Sequence, residues 1–515
     1  MFRRFLSVSG FTLLSRITGF IRDILQAAIL GAGPLSDAFF VAFLFPSYFR
    51  SLFGEGTINP AFLPRYAALH ARGEKEAAAG FADAVFSWQM AVQIVVLIAA
   101  LWTMPFVVRI LAPGFDGNPG QIALTAHLSR ITFPYLILTV VVVQLSAMLN
   151  ALEKFAAAAA WSILLNLTMI AALFASAWFP NAAVAAAWGV LAGGVAQLVF
   201  IFIAARRAGL ALRLSLPRWT PEIAEFFKAF AAVTFGATSV LIAPFIDMLL
   251  ASLLASGSLT ALYYANRIDQ LPLGVLGIAL GTVLLPEMSA KLALGDVEGS
   301  DAAQNKAATL SLLSVLPFAM AFVVIPNTIM QAIFAHGHFD AHAAGISAVA
   351  LGAYGVGLPA FAMVRILAST FYARHDTFTP ARITAVSVAA NIALKVVLVW
   401  GLSFGIGGIA LGTSFGAWVN VATLLWLGRR RGLLHIGPQF RRALPAILIA
   451  AAATALGAWT GRLAGMALLP TGSYRDLAAL GFAIVLGGAG YFSSVALFRE
   501  RLPLGRLSRR NIVAV

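Results

Sequence analysis

The stretch GAGPLSDAFF, Gly31–Phe40, recurs further along the chain as ASGSLTALYY, Ala255–Tyr264. Other pairs follow at nearly the same spacing, with offsets between 222 and 225 residues. They are Phe62–Leu69 with Leu284–Leu292, Pro134 with Pro359, Asn166 with Asn391, Gly189 with Gly412, and Gln197 with Asn420. A constant offset sustained over five predicted helices indicates an internal duplication.

Composition places the duplicated chain in a membrane. Hydrophobic residues make up 61% of the 515 residues and charged residues 11%, with a mean hydropathy of +0.90, whereas soluble proteins carry about 25% charged residues. Apolar runs of about 20 residues, the length that spans a bilayer as a helix, recur from end to end. We predict about fourteen transmembrane helices, at 8–30, 36–54, 82–108, 127–149, 157–178, 183–204, 227–254, 260–284, 306–327, 344–371, 380–400, 406–427, 442–466 and 475–498.

The predicted fold is an all-α integral membrane protein with two six-helix lobes. An N-terminal lobe at 1–220 and a C-terminal lobe at 221–432 are followed by two additional helices and a basic tail at 433–515. Six helices per copy give a parallel repeat, which relates the lobes by an axis along the membrane normal, with the substrate between them. With both termini in the cytoplasm, 24 Lys and Arg lie on cytoplasmic loops and tails, against Arg109, Arg462 and Arg475 outside. This asymmetry follows the positive-inside rule, so the +15 net charge does not indicate a nucleic-acid partner.

Eight cations remain inside predicted spans: Arg16, Arg22, Arg50, Arg130, Lys228, Arg267, Arg365 and Lys395. Charges in the hydrocarbon region are costly and normally face a bundle interior or a wet cavity. Arg130 and Lys228 lie near helix ends, where long side chains snorkel to the surface. Arg16, Arg22, Arg50 and Arg267 lie on the first two helices of the first copy and the second helix of the second. They form either a cavity for an anion such as a phosphate, which arginine binds in bidentate fashion, or internal ion pairs with nearby acids: Asp23, Asp37, Asp247 and Asp269.

Other chemistry is poorly supported. The sequence lacks the G-x-x-x-x-G-K motif of P-loop ATPases and contains no cysteine. His336, His338 and His342 are spaced like metal ligands but have no clear fourth ligand nearby, so we predict neither a metal site nor a cofactor. We also predict that the chain is not an enzyme.

Five motifs together resemble the MurJ (MviN) family. They are LLSRITGFIRD (Leu13–Asp23), GAGPLSDAFFVAF (Gly31–Phe43), RSLFGEGTINP (Arg50–Pro60), YYANRIDQLPLGVLGIALGTVLLP (Tyr263–Pro286) and FYARHDTFTP (Phe371–Pro380). The resemblance covers nearly the whole chain and implies membership of the multidrug/oligosaccharidyl-lipid/polysaccharide (MOP) exporter superfamily. It implies a lipid II flippase of the bacterial cytoplasmic (inner) membrane, acting in peptidoglycan biosynthesis, cell wall biogenesis and cell shape. Its implied partners are lipid II (the undecaprenyl-pyrophosphate-linked disaccharide peptide), membrane lipids and the cell-wall synthesis machinery.

Carried over to this chain, the family's cavity residues fall on Arg16, Arg22, Asp37, Arg50 and Arg267. Supporting residues would be Asp23, Glu55, Asp269 and Gln270; the last stands where some members have an acid. The resemblance further implies alternating access, with the arginines holding the pyrophosphate and the last two helices receiving the lipid tail. A doubly charged group moving outward down a potential of about 100 mV gains roughly 4–5 kcal/mol, so the membrane potential is the predicted driving force.

The second copy carries residues that match part of an ion site found in some members of the resembled family. Some members of the resembled family bind sodium there through an aspartate and an Asn–Asp pair. Asp247 and Asn391 match two of these positions, but Lys395 replaces the second acid. We predict that the Lys395 ammonium takes the place of the cation and pairs with Asp247, which argues against sodium dependence. The alternative is that Lys395 snorkels to the outer surface.

Two rival functions stay open on the sequence. A flippase for another undecaprenyl-pyrophosphate-linked saccharide would use the same arginine chemistry, and only the family motifs disfavour it. A cation-coupled multidrug exporter of the same superfamily should place acids in its cavity, and the four arginines argue against it.

Overall fold

The computed structural model describes residues 2–51, 58–469 and 474–503, and over these residues the chain is helical without a β-strand. The helices are α1 (Phe2–Leu30), α2 (Pro34–Arg50), α3 (Ile58–Ala71), α4 (Lys75–Leu111), α5 (Pro119–Thr132), α6 (Tyr135–Ala151), α7 (Phe155–Phe174), α8 (Ala182–Arg207), α9 (Pro221–Ser252), α10 (Ser258–Ala293), α11 (Val297–Val324), α12 (Pro326–Phe334), α13 (Ala341–Tyr372), α14 (Phe378–Val396), α15 (Gly405–Arg430), α16 (Pro438–Leu468) and α17 (Arg475–Leu497).

Each predicted span overlaps at least one of these helices. Among the described residues, ten helical segments are long and apolar enough to cross a membrane, so the chain is an all-helical membrane protein. The count of fourteen spans and the two-lobe arrangement stay predictions.

The sequence reading missed two helices and misplaced the start of a third. Helix α3 carries Arg65 and His70 among its apolar residues, and the short α12 lies where an outer loop was expected. The predicted span at 127–149 begins inside α5, crosses a turn at Phe133–Pro134 and continues as α6. Hydropathy alone does not locate this turn, because apolar residues continue through it from Ile131 to Leu138.

Local sequence explains where several helices begin. Side-chain oxygens accept hydrogen bonds from first-turn N–H groups: Asn118 from Gln121 at 3.2 Å, Asn181 from Val184 at 3.0 Å, and Asp296 from Gly299 at 2.7 Å. Such caps satisfy donors that the helix itself leaves unpaired. Proline, which has no N–H to satisfy, occupies the first turn of α2, α5, α9, α12 and α16.

Contacts divide the chain into two compact units. The first comprises Met1–Thr260 with His336–Asp340, and the second comprises Ala261–Ala335 with Ala341–Val515. The first has a core in which Phe39 and Phe43 of α2 pack with Tyr135, Met169 and residues of α8. The second has a core centred on Met288, Ile366, Phe371 and Leu424. The predicted lobe boundaries at 220 and 432 stay predictions.

The two copies of the repeat share one packing device. In the first unit, a Cβ on Gly189 would lie 2.8 Å from Ala172 Cβ of α7. In the second, a Cβ on Gly412 would lie 2.4 Å from Lys395 Cγ of α14. The glycines therefore let α8 approach α7, and α15 approach α14, more closely than any larger residue would allow.

The last two helices form a tight pair within the second unit. Added Cβ atoms on Gly457, Gly461 and Gly465 of α16 would each lie 2.5 Å or less from backbone atoms of α17. The pair is attached to α11 through Ala443, Ala446 and Ile447. In addition, the Tyr491 hydroxyl donates to the Leu313 carbonyl at 2.9 Å.

Candidate functional site

Arg22 lies inside a polar network of the first unit and is only 5% exposed. Its Nη2 donates to Asp23 Oδ1 at 2.6 Å, and its Nη1 donates to Asn166 Oδ1 of α7 at 3.0 Å. The guanidinium also lies 5.6 Å from the centroid of the Phe43 ring. A buried charge needs a close partner and further hydrogen bonds, and Arg22 has both. The internal ion-pair alternative therefore describes this arginine.

Asn166 extends the network back to α1. Its Nδ2 donates to the Ser15 carbonyl at 3.0 Å and to Thr18 Oγ1 at 3.3 Å. The amide of Asn166 thus accepts a hydrogen bond from Arg22 and donates hydrogen bonds to the turns of α1 that precede Arg22. The sequence offered a signal for this residue, since Asn166 is the repeat counterpart of Asn391, but its role as partner of Arg22 was not predicted.

Arg16 has a different environment from Arg22, although both lie on α1. It is exposed, and no described residue forms a hydrogen bond or ion pair with it. Asp23 is already bonded to Arg22, so the charge of Arg16 is not offset within the described network. Such a guanidinium has its full set of donors available to an anionic ligand.

Asp37 is buried and caps α10. Its Oδ2 accepts from the Gly257 N–H at 2.6 Å, and its Oδ1 accepts from the Thr260 N–H at 2.9 Å and the Thr260 hydroxyl at 2.6 Å. A carboxylate at a helix N-terminus satisfies orphan N–H donors and interacts favourably with the helix dipole. The structure therefore gives Asp37 a structural contact, and its predicted role as a substrate ligand stays a prediction.

Beside Asp37, two repeat-related hydroxyls touch each other. Ser36 Oγ lies 2.8 Å from Thr260 Oγ1, and these residues occupy the same position in GAGPLSDAFF and ASGSLTALYY. The same region receives the loop at 336–340, where the His338 N–H donates to the Ala28 carbonyl at 2.8 Å. His338 is thus held by its backbone against the end of α1.

The other predicted arginines are half-buried. Arg50 lies in the last turn of α2 in the first unit, and Arg267 lies on α10 in the second. Near Arg267, Asp269 is 2% exposed, whereas Gln270 is exposed and donates through Nε2 to Asn266 Oδ1. Glu55 lies outside the described residues. The structure brings Arg22 and Asp23 together.

Three other intramembrane cations, Arg130, Lys228 and Arg365, are exposed. Arg130 Nε donates to the Leu101 carbonyl at 3.1 Å. The snorkelling of Arg130 and Lys228 stays a prediction.

Lys395 is fully buried in the second unit and does not reach the surface. Gly412 of α15 packs against Lys395, and Gly416 packs against Asn391. A π-helical turn, Val397–Gly401, begins two residues after Lys395. The snorkelling alternative for Lys395 is therefore wrong. Asp247 is half-buried on α9 of the first unit, and its pairing with Lys395 stays a prediction.

The motif FYARHDTFTP forms the turn between α13 and α14. His375 adopts a left-handed backbone with φ 62°, and Asp376 Oδ1 accepts from the Thr379 N–H at 2.9 Å. Arg431 Nη1 donates to Asp376 Oδ2 at 3.3 Å and to Thr379 Oγ1 at 3.1 Å. The pKa of Asp376 is held below its usual value, first by the hydrogen bond from the Thr379 hydroxyl, then by the hydrogen bond from the Thr379 N–H, and also by the charge of Arg431. This motif thus has a structural explanation.

Comparison with known sequences identifies relatives along the whole chain. A family model described as "Lipid II flippase MurJ" matches residues 26–474. The chain is 36% identical to a probable lipid II flippase MurJ of Rhizobium tropici, over 99% of this chain and 96% of the relative. It is 32% identical to the lipid II flippase MurJ of Burkholderia cenocepacia, over 86% of each chain.

Solved structures show the same fold. A lipid II flippase MurJ in an inward closed conformation matches with a TM-score of 0.79 and 23% identity, covering 96% of this chain and 99% of that one. An inward-facing MATE-family multidrug resistance transporter of the MOP superfamily matches with a TM-score of 0.69 and 16% identity, covering 81% and 95%. Both are transporters, and the sequence relatives are named as flippases, not as enzymes. Because the family model spans most of its length and a relative is 36% identical along nearly the whole of both chains, this chain with its arginine-bearing membrane helices belongs to the MurJ family of lipid II flippases.

Proposed function

We propose that this protein moves lipid II, the undecaprenyl-pyrophosphate-linked peptidoglycan precursor, from the cytoplasmic to the periplasmic leaflet of the bacterial inner membrane. Family membership supports the substrate class. The observation that carries the chemistry is the contrast on α1: Arg22 is neutralised by Asp23, whereas Arg16 is exposed and has no described acid partner. A pyrophosphate would supply the missing negative charge, and arginine suits it because the planar guanidinium binds two oxygens at once.

Transport would proceed by alternating access, with both termini in the cytoplasm and the two predicted lobes rocking about the bound headgroup. Arg50 and Arg267 would join Arg16 at the pyrophosphate. Arg22 would act through its network by fixing α1 against α7. The membrane potential would drive the outward step, since about 2.3 kcal/mol is gained per charge for each 100 mV. No cofactor and no sodium ion enters this scheme, and contact with the cell-wall synthesis machinery would follow from the substrate.

The decisive experiment measures the leaflet that lipid II occupies in cells depleted of the native protein and supplied with variants. Wild type should restore lipid II to the outer leaflet. Arg16→Ala should fail to do so while reaching the membrane in normal amount. Arg130→Ala is the matched control, because Arg130 is also an exposed intramembrane arginine but donates to a backbone carbonyl, and it should retain activity.

Two outcomes would refute the proposal. Full activity of Arg16→Ala would exclude the arginine as a headgroup ligand. If wild type translocated a different undecaprenyl-pyrophosphate-linked saccharide and left lipid II in the inner leaflet, the assignment of lipid II as the substrate would be wrong. The assignment of Arg16 as a ligand of the pyrophosphate would be unaffected.

A further inference from the structure

A long apolar trough runs along the surface of the first unit between α7 and α8. It has a volume of about 700 Å³ and is lined by Leu164 of α7 and by α8 residues from Trp188 to Ile203. Over that stretch α8 rises about 22 Å, which exceeds half of the roughly 30 Å hydrocarbon core. The trough is therefore long enough to receive an acyl chain belonging to one leaflet.

Glycines on α8, the helix that supplies most of the trough, let it pack closely against α7 and α6. A Cβ on Gly193 would lie 2.7 Å from both Leu165 Cδ1 and Thr168 Oγ1 of α7. A Cβ on Gly194 would lie 2.7 Å from Tyr135 Cδ2 of α6. The small side chains of Ala192 and Ala196 line the trough together with larger ones, among them Leu191 and Val195. The helix that supplies most of the lining is therefore one that packs closely against its neighbours.

The walls of the trough are apolar and open. Trp188, Val195 and Val199 are 47%, 49% and 51% exposed, and the sequence has no charged residue between Lys154 and Arg206. Hydrocarbon is the occupant that suits such a surface inside a bilayer.

One end of the trough meets a pair of positive charges. Ile203 is followed one turn later by Arg207, and Arg206 lies beside it in the last turn of α8. Both arginines are exposed, and neither forms an ion pair with a described residue. The Arg206 guanidinium lies 5.0 Å from the centroid of the Phe202 ring, a cation–π contact that restrains it in the last turn of α8. The positive-inside count assigns this end to the cytoplasmic leaflet.

We propose that this trough and the arginine pair form a binding site for an anionic phospholipid of the cytoplasmic leaflet. One acyl chain lies in the trough, and the phosphodiester lies between Arg206 and Arg207. Charge complementarity selects the lipid class: two guanidinium groups facing one phosphate leave a net positive site, which favours a headgroup without a compensating ammonium. The combination of phosphate contacts and a basic helix end is a general mode of lipid recognition.

Native mass spectrometry of the purified, delipidated protein titrated with phosphatidylglycerol tests the site. Arg206→Ala/Arg207→Ala should weaken the tightest binding event by about tenfold or more, because it removes charge-assisted hydrogen bonds to phosphate. Ala192→Trp/Ala196→Trp, which fills the trough while leaving both arginines, should weaken the same event. The control is Arg499→Ala/Arg501→Ala: Arg501 also stacks on an aromatic ring, Phe498, at 5.5 Å, but this pair follows α17 in the second unit and is not among the residues that line the trough. It should not change the tightest event.

Three results would overturn the proposal. Equal affinity of wild type and the Arg206/Arg207 variant would show that these arginines do not hold the headgroup. Equal affinity for phosphatidylcholine and phosphatidylglycerol would show that only an ordinary shell of lipid is present. Displacement of phosphatidylglycerol from this site by one equivalent of undecaprenyl pyrophosphate would assign the trough to the transported lipid instead.

Discussion

Asp37 Oδ1 accepts hydrogen bonds from both the backbone N–H and the side-chain hydroxyl of Thr260, 223 residues further along the chain. Together with the Gly257 N–H on the other carboxylate oxygen, these bonds tie the beginning of α2 to the beginning of α10. The aspartate that family resemblance places in the cavity therefore has a structural task at the start of α10.

Replacing Asp37 with Ala should lower the melting temperature of the purified protein. The change removes the cap of α10, a loss that costs about 0.5–2 kcal/mol for a typical helix cap, and here the unpaired donors are also buried. Thr260→Val should reproduce part of the loss, and the double variant should lose less than the sum, because both changes remove the bond between the Thr260 hydroxyl and Asp37. Unchanged melting combined with lost lipid II binding would instead make Asp37 a ligand.

Arg22 should behave as a structural residue when tested against Asp23. Arg22→Ala removes the 2.6 Å ion pair from the buried Asp23, and breaking such a pair typically costs about 3–5 kcal/mol. The membrane level of this variant should fall. Arg22→Ala/Asp23→Ala should recover much of that level, as measured by immunoblotting of membranes. If the double variant were less abundant than the single one, the ion pair would not be the cause.

Arg16 should behave in the opposite way. Arg16→Ala should abolish complementation at normal protein level, and Arg16→Lys should rescue poorly, since an ammonium cannot make the bidentate contact. Growth of a depletion strain, with protein level measured in parallel, distinguishes this pattern from that of Arg22. Rescue by lysine as good as wild type would show that charge alone is needed.

Lys395 provides a test of the altered ion site. Lys395→Ala should reduce stability, and Gly412→Ala should do the same, because the added methyl would lie 2.4 Å from Lys395 Cγ and 3.2 Å from its backbone nitrogen. Lys395→Asp should make the melting temperature depend on sodium if Asp247 and Asn391 lie beside it. A variant equally stable in sodium and potassium, together with a long Asp247–Lys395 separation in an experimental structure, would exclude the predicted pair.

The Asp376 turn predicts a pH effect. Because hydrogen bonds from Thr379 lower the pKa of Asp376 below the usual value of 3.8, its stabilising effect is complete above that value and is lost as the pH falls through the lowered pKa. Hydrogen exchange in residues 373–379 should be slower in wild type than in Asp376→Asn at pH 6. The two should converge near the acid end of the range that the protein tolerates. A difference in exchange that did not change with pH would show that the charge of Asp376 is not the cause.

The sequence predicted the helices well wherever apolar runs were long, because hydropathy alone determines that a segment spans a membrane. It placed no helix at α3, which carries Arg65 and His70 among its apolar residues, or at α12, which is too short to be recognised by length. At the candidate site, burial cost pointed to Arg22 only as one of four arginines and did not separate the ion-paired Arg22 from the exposed Arg16. It did not identify Asn166 as a partner of Arg22, because a partner 144 residues away leaves no local pattern.

The contact between Ser36 and Thr260 has a consequence for the direction of hydrogen bonding. Although the two residues are repeat counterparts, their hydroxyls cannot play the same part. The one hydroxyl hydrogen of Thr260 is donated to Asp37 Oδ1 at 2.6 Å, so Thr260 Oγ1 can only accept from Ser36 Oγ at 2.8 Å. Asp37 stands opposite Ala261 in the alignment of the copies, so the second copy has no carboxylate at the matching position that would reverse this direction.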